Sequence, residues 1–124
     1  MRYMMFIKHT EDYRNVQVPP GLHEEMGKFI EETAKAGQFV GGAGLQPTDV
    51  GKRVRLKGGK ISVMDGPFTE SKEIVGGYAI IDAKSPDEAL ALARRFMDIH
   101  LRHWPTFEGE CEVRPLEEEA QPQS

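Results

Sequence analysis

The sequence predicts an α+β fold of the ferredoxin-like βαββαβ plan, with an added β-hairpin strand. Two stretches with helical periodicity are separated by shorter stretches whose apolar residues alternate with a period of two, as in strands. A Gly-Gly pair joins two of the alternating stretches and indicates a tight hairpin. The first strand is apolar on both faces, which indicates a central position in a covered sheet.

Composition indicates one small domain. By length the 124 residues form a single domain, which we place at residues 1–116, followed by an acidic tail at 117–124 that is predicted to be disordered. The net charge of -4 and the pI of about 5.6 disfavour direct binding to nucleic acid. No apolar stretch has the length of a membrane span, and Lys8 and His9 interrupt the apolar N-terminus too early for a signal sequence. The single Cys111 excludes an intrachain disulfide, so the predicted location is the reducing cytoplasm.

The first half of the chain contains a strand, a helix and a second strand. Residues 2–8 form the first strand, and residues 10–19, which end in two prolines, form a loop. A helix over residues 20–36 follows, with Gly37 just after its C-terminus, where positive φ is favoured. A glycine-rich strand over residues 39–45 comes next. The apolar stripe of the helix consists of Leu22, Met26, Phe29, Ile30, Thr33 and Ala34.

The hairpin is predicted from two alternating runs, residues 53–57 and 60–64, that flank Gly58-Gly59. Both turn residues adopt positive φ without steric cost, which suits a two-residue hairpin turn. Asp65 follows at the end of the second strand, on the side of the alternating aliphatic residues. The turn sets a register in which Leu56 faces Ile61, Val54 faces Val63 and Arg55 faces Ser62.

The second half of the chain repeats the strand-helix-strand pattern. Residues 75–83 and 110–116 form its strands. Ser85, Pro86 and Glu88 are typical of a helix start, because Ser caps, Pro fits the first position and Glu completes a capping box. The helix ends before Pro105, and its helically spaced positions are Leu90, Ala93, Met97, His100, Leu101 and Trp104.

Two helices cover only one face of the predicted sheet. The first strand presents Tyr3, Met5 and Ile7 on one face and Met4 and Phe6 on the other, so both faces need cover. A homodimer that packs sheet against sheet supplies this cover most simply. The predicted protein partner is therefore a second copy of the chain.

A longer pattern of residues matches a known family. Its most specific part is the charged turn at residues 65–73 and the Gly76-Gly77-Tyr78 that follows. Over roughly residues 2–116 the chain resembles the YCII-related family, in its DGPF-type branch. Further segments that carry the resemblance are Met1-Arg2-Tyr3-Met4-Met5, Met26-Gly27-Lys28-Phe29, Ala36-Gly37, Gly44-Leu45-Gln46-Pro47, Val54-Arg55, Gly58-Gly59-Lys60, Ser85-Pro86-Asp87-Glu88-Ala89 and Glu112-Val113-Arg114-Pro115.

The resemblance implies a dimeric α+β barrel built from ferredoxin-like halves. It also implies a cleft near the DGPF segment, proposed as an active site, in which related proteins are thought to use a His-Asp pair. The aspartate of that pair corresponds to Asp65, whereas no histidine of this chain lies in a matching motif. Some members of the family are linked to extracytoplasmic-function sigma factors.

Asp65 is the first candidate for a catalytic side chain. It would act as a general base or substrate anchor at a strand end, or else as a structural residue that accepts backbone N–H groups in a turn. His9, at the end of the first strand, is the candidate partner in acid-base catalysis. The charged side chains of the turn at residues 65–73 fit a solvated surface of ion pairs equally well. The predicted substrate-binding residues are Glu70, Lys72, Glu73 and Arg55.

Metal and nucleotide sites have little support in the sequence. His100 and His103 are spaced i, i+3 without an evident third ligand, and His100 fits a core or interface position better. Gly42-Ala43-Gly44 begins like a dinucleotide motif, but Pro47 takes the last glycine position and no helix follows. The sequence therefore predicts neither a metal nor a cofactor.

Two functions fit these residues. The first is binding or transformation of a small polar metabolite in a cleft beside the DGPF turn, with Asp65 as base or anchor. The second is a non-catalytic interaction or regulatory module, linked to an extracytoplasmic-function sigma factor, which fits the lack of a standard catalytic motif. An enclosed pocket beside Asp65 favours the first, and an exposed apolar patch away from the dimer face favours the second.

Overall fold

A computed structural model of the chain describes residues 1–10, 17–68 and 73–117. Its helix and strand bounds differ from the predicted ones by at most one residue. The predicted loop at 10–19 and tail at 117–124 lie partly outside the described residues. In chain order the elements are β1 (Arg2–His9), α1 (Pro20–Lys35), β2 (Phe39–Gly44), β3 (Lys52–Lys57), β4 (Lys60–Asp65), β5 (Ile74–Asp82), α2 (Pro86–His103) and β6 (Glu110–Pro115).

Four strands form one antiparallel sheet in the order β2-β5-β1-β6. Each helix connects two strands that have another strand between them, which is the ferredoxin-like arrangement. β1 pairs on both sides, since Met5 lies opposite Ala79 of β5 and opposite Val113 of β6. The predicted α+β fold and the central position of β1 are confirmed.

Both helices contribute to a single core against the sheet. Residues of this core from β1 and β5 include Tyr3, Met5 and Ile81, each 5% exposed or less. The other face of the sheet is more open: Phe6 and Tyr78 lie opposite each other in register, and Tyr78 is 40% exposed. Cover of this face by a second copy stays a prediction. The helices supply Leu22, Phe29, Ala89, Leu92, Ala93 and Ile99 to the core.

The predicted helix stripes are wrong at four positions. Ile30, Leu90 and Leu101 are 44%, 54% and 65% exposed, and Ala34 is exposed as well. Two adjacent stripes on α2 have helical spacing, and a helix that packs on one sheet buries only the stripe that faces it. The buried residues of α2 are Ala89, Leu92, Ala93, Ile99 and His100.

The hairpin forms a sheet of its own. β3 and β4 pair only with each other among the described strands, so the added hairpin is a separate two-stranded sheet. Gly58 and Gly59 have φ values of +59° and +75°, as the turn requires. The predicted register is confirmed at Leu56–Ile61, Val54–Val63 and Arg55–Ser62.

The cap of α2 also follows the sequence. The Glu88 N–H donates to Ser85 Oγ at 3.1 Å, while the Glu88 carboxylate accepts from the Lys84 N–H at 3.1 Å and from Gln38 Nε2 at 2.8 Å. These hydrogen bonds lower the pKa of Glu88, with the Gln38 bond as the largest cause. The cap therefore also joins the start of α2 to the segment before β2.

Candidate functional site

Asp65 lies on the surface at the end of β4. Its carboxylate is 75% exposed and accepts a hydrogen bond from Lys52 Nζ at 2.6 Å, across the base of the hairpin. Arg55 is exposed in the middle of β3. The described partner of Asp65 is therefore a lysine side chain.

The rest of the DGPF segment packs against the turn at Thr48–Val50. The Gly66 N–H donates to the Gly51 carbonyl at 2.9 Å, and a Cβ atom at Gly66 would collide with the Thr48 carbonyl. The Phe68 N–H donates to Thr48 Oγ1 at 3.1 Å, and the Phe68 ring is buried beneath the guanidinium of Arg53, 3.9 Å from the ring centroid. Gly66 and Phe68 thus hold the base of the hairpin in place.

An inner cavity of about 560 Å³ lies between the four-stranded sheet and the two helices. Its walls come from β1, α1, β2, β5, α2 and the segment after α2. Apolar and aromatic side chains predominate, and no Asp, Glu, Lys or Arg is among its described lining residues. The polar residues of its lining include His9, His23, Thr33, Gln46 and His100.

A second cavity of about 530 Å³, here called the vestibule, lies at the end of β1 and opens toward the surface. His9, His100 and Phe107 line both cavities, so they mark the boundary between them. The vestibule also contains charged side chains from three segments: Lys8, Glu73, Glu108 and Glu110.

His9 reaches this boundary because of a β-bulge. Ile7 pairs with Gly77 and Lys8 with Val75, which leaves Gly76 as the extra residue of β5. A Cβ atom at Gly76 would collide with the His9 ring, so the glycine makes room for the imidazole. His9 Nδ1 lies 2.8 Å from the Thr10 carbonyl oxygen.

His100 is buried at the same boundary, with only 7% of its surface exposed. Its Nδ1 lies 3.0 Å from the Phe96 carbonyl oxygen, and its ring packs between Phe96 and Phe107 at centroid distances of 4.8 and 5.2 Å. Loss of hydration lowers the pKa of His100, so the neutral ring is favoured. His100 Nε2 has no hydrogen-bond partner among the described residues.

The hydrogen bonds of the two histidines determine their tautomers. A carbonyl oxygen only accepts, so Nδ1 of His9 and of His100 must carry the proton. In the neutral ring Nε2 is then the nitrogen with the lone pair. His100 therefore presents Nε2 as an acceptor, and in both histidines the ring is held by a backbone contact of Nδ1.

Lys8 organises the charges of the vestibule. Its Nζ lies 2.9 Å from Glu112, 3.2 Å from Glu73 and 3.9 Å from Glu110. Hydrogen bonds to Glu112 and Glu73 raise the pKa of Lys8, and the bond to Lys8 is the largest cause that lowers the pKa of Glu112. The predicted ligand residue Glu73 is thus present at the vestibule as an ion-pair partner.

The predicted site residues fall into separate groups. His9 and Glu73 meet at the vestibule, whereas Asp65 and Arg55 lie on the hairpin and line neither cavity. Glu70 and Lys72 lie outside the described residues. In the part of the chain that the structure describes, no three His, Cys, Asp or Glu side chains are grouped as metal ligands.

Sequence reasoning missed the boundary residues His100 and Phe107. His100 was predicted as a core or interface residue, and it is buried, but it also lines both cavities. The available signal was the run of aromatic residues at helical spacing from Phe96 to Trp104, continued by Phe107. This run places several rings on one side of the helix end without showing that a cavity lies there.

Two comparisons relate this chain to known proteins. Residues 1–98 match the YCII-related domain, which covers most of the chain and includes β1 through most of α2. An uncharacterised protein of Rhizobium meliloti (strain 1021) is 40% identical over 89 residues. That match covers 72% of this chain and 64% of the relative, so the chain spans less than two thirds of the relative's length.

Proposed function

This chain belongs to the YCII-related family, and from that premise we propose that it binds a small metabolite in the inner cavity and transfers a proton on it, with His100 and His9 as the acid-base residues. The observation that carries the proposal is the boundary between the two cavities, where both imidazoles have Nδ1 bonded to a backbone carbonyl. We also propose that the chain belongs to the DGPF-type branch of the family and that it is an enzyme.

The proposed base is His100. Its lowered pKa keeps the ring neutral near pH 7, so Nε2 accepts a proton from a bound molecule. A C–H bond next to a carbonyl group is a suitable donor, because the electron pair that remains is taken up by the carbonyl oxygen as an enolate. His9 lines the same boundary and is proposed, in its protonated form, to donate a proton to the enolate, so that His100 takes up one proton and His9 gives up one.

Asp65 is the competing assignment for the base or anchor. It was proposed from the DGPF motif, and it pairs with Lys52 outside both cavities. Asp65→Asn and His100→Phe therefore separate the two assignments, because each removes one candidate group while keeping a side chain of similar shape.

The experiment is NMR in D₂O with a library of small carbonyl compounds of varied charge. We expect at least one compound to bind the wild-type protein and to exchange its activated C–H for deuterium faster than in buffer. His100→Phe should slow this exchange by about 10²-fold or more, as loss of a general base does, whereas Asp65→Asn should leave it unchanged. Exchange that survives His100→Phe and disappears with Asp65→Asn would transfer the chemistry to Asp65.

The interaction module, linked to a sigma factor, is the alternative proposal. The feature that supports it is the aliphatic face of the hairpin, where Val54, Leu56, Ile61 and Val63 are 64–73% exposed. Contact with a second copy of the chain is another use for this face, distinct from the sheet-against-sheet homodimer predicted from β1. Sedimentation of the purified chain with and without a purified sigma factor decides between them: a dimer that does not change on addition of the sigma factor excludes the alternative.

A further inference from the structure

We infer that the ligand of the inner cavity is an organic amine, with an apolar body in the inner cavity and an ammonium group at the vestibule. This inference rests on the proposed function and deepens it by naming the class of ligand. Four features of the described residues carry it: the charge of the vestibule, the hydrogen-bonding character of His100, the aromatic wall, and the apolar lining of the inner cavity.

Among the residues that the structure describes, carboxylates outnumber cations at the vestibule. Glu73 and Glu110 line it together with Lys8, the one lysine of its described lining. Lys8 is already engaged by carboxylates, at 3.2 Å from Glu73 and 2.9 Å from the adjacent Glu112. An anionic ligand would have to displace these ion pairs, whereas a cationic ligand adds a positive charge where negative charge is in excess.

His100 is the independent sign that a ligand binds here. Only 7% of its surface is exposed, and its Nε2 has no hydrogen-bond partner among the described residues although a buried polar atom without a partner is costly. Because Nδ1 donates to the Phe96 carbonyl, Nε2 is an acceptor on the far side of the ring. A ligand group at Nε2 must therefore donate to it, as an ammonium N–H or the activated C–H of the proposed reaction does, and a carboxylate cannot.

The aromatic residues at the boundary suit a cation as well. Phe107 contacts the rings of Trp104 and His100 at centroid distances of 4.9 and 5.2 Å, and Phe96 extends the wall on the other side of His100. Aromatic faces attract ammonium groups through the negative potential of the ring. Carboxylates beside aromatic rings are the usual composition of an amine-binding site.

The inner cavity sets the character of the rest of the ligand. Its volume of about 560 Å³ is within the range of small-molecule pockets, and its described lining contains no Asp, Glu, Lys or Arg. A second charge inside it would lose hydration without gaining a partner. The expected ligand is therefore a monoamine whose uncharged aryl or alkyl body also bears the carbonyl group of the proposed reaction.

The test is isothermal titration at pH 7 with three probes of equal shape: 4-phenylbutylamine, 4-phenylbutan-1-ol and 4-phenylbutyrate. We expect the amine to bind at least tenfold more tightly than the alcohol, and the carboxylate to bind most weakly. The double variant Glu73→Gln/Glu110→Gln should weaken amine binding by roughly threefold to tenfold, the range for partly exposed ion pairs, and should leave alcohol binding unchanged.

A matched control removes the same charge elsewhere. Glu24→Gln/Glu31→Gln takes two carboxylates from exposed positions on α1 that line neither cavity and that pair with lysines of the same helix. This variant should bind the amine as the wild type does. An equal loss of amine binding in both double variants would show that net charge alone, rather than the vestibule, attracts the amine, and would overturn the inference.

The remaining outcomes separate the inference from the proposed function. Equal affinity for the amine and the alcohol would overturn the amine inference while leaving the inner cavity as the binding site. Tighter binding of the carboxylate would overturn it in favour of an anion. Failure of all three probes to bind would count against both the inference and the proposed cavity.

Discussion

β1 and the β3–β4 hairpin both have apolar residues at every second position, and β1 has them on both faces, but the two regions have opposite environments. In β1, Tyr3 and Met5 are 3% and 5% exposed, beneath the two helices. In the hairpin, Val54 and Ile61 are 70% and 72% exposed although they lie in equally regular strands. Alternation therefore predicts pairing in both regions, but burial depends on whether another layer covers the apolar face.

The comparison shows what the hairpin lacks. Val54 faces Val63 and Leu56 faces Ile61, so four aliphatic side chains form one continuous exposed face. An isolated two-stranded hairpin is marginally stable in water, and an exposed patch of this kind marks an interaction surface. We propose that a second copy of the chain covers this face, a contact separate from the sheet-against-sheet homodimer predicted from β1.

Replacing isoleucine with alanine in each of the two regions should give the largest difference in the free energy of unfolding. Ile81→Ala in β5 empties a buried position and should lower the free energy of unfolding by about 2–5 kcal/mol. Ile61→Ala in β4 removes a side chain that is 72% exposed and should change it by about 0.5 kcal/mol or less. Urea unfolding at low protein concentration measures both values. If Ile61→Ala costs as much as Ile81→Ala, and the cost grows with concentration, the hairpin is covered by a second copy in solution.

The DGPF turn should show the next largest effect, and it should come from the glycine. Gly66→Ala places a Cβ atom against the Thr48 carbonyl and should destabilise the fold by about 1–3 kcal/mol, as overpacking does. Asp65→Asn weakens only an exposed ion pair with Lys52 and should cost less than about 1 kcal/mol.

Gly27→Ala is the control for Gly66→Ala, because a Cβ atom at Gly27 in α1 meets nothing within 4 Å. It should stabilise the helix by about 0.5–1 kcal/mol. Thermal melts of the three variants rank these effects. A larger loss for Asp65→Asn than for Gly66→Ala would mean that the aspartate supports the fold in a way that its contact with Lys52 does not explain.

Local signals predicted most of the fold. Gly58-Gly59 determined the hairpin register, and Ser85 with Glu88 determined the start of α2, because each depends on hydrogen bonds between residues close in the chain. Exposure was less predictable. Leu90 and Leu101 fit a helical stripe but face solvent, because the packing of α2 on the sheet selects between adjacent stripes.

The candidate site was predictable only in part. His9 was identified from its position at the end of β1, but its contact with the boundary depends on the bulge at Gly76. His100 joins it only because β1 and α2, far apart in the chain, pack together at this end of the sheet. No motif or spacing encodes such a juxtaposition, whereas the DGPF motif drew attention to Asp65, which lines neither cavity.

Acidification should lower the stability of the region between the sheet and the helices, because His100 is buried there. Burial lowers the pKa of His100 below its ordinary value of 6.5, so the unfolded chain binds this proton at higher pH than the folded chain does. The contribution of His100 to the free energy of unfolding therefore has its full value above pH 6.5. It is lost as the pH falls through the lowered pKa of the folded state. A phenyl ring does not titrate, so His100→Phe should flatten this part of the pH profile of stability, as measured by urea unfolding at each pH.

The comparison of the two pH profiles isolates His100. Contributions of the other titrating groups are present in both proteins and cancel in the difference. Loss of stability from Glu88 and Glu112, whose pKa values are lowered in the folded state, falls in a more acidic range below 4.5. Profiles that stay parallel between pH 7 and pH 5 would show that His100 is hydrated in solution.

The last prediction compares the rate of thiol modification in the four-stranded sheet with the rate in the hairpin, and it is expected to have the smallest effect on stability. Burial raises the pKa of Cys111 in β6 to about 11, so its thiolate is scarce at pH 8 and iodoacetamide should modify it roughly two orders of magnitude more slowly than an exposed thiol. Val63→Cys, combined with Cys111→Ser, places a thiol on the hairpin at a position that is 64% exposed, and it should react at the rate of a free thiol. Protection of that thiol only at high protein concentration would reveal a second copy on the hairpin. Rapid modification of Cys111 would show that β6 opens from the sheet.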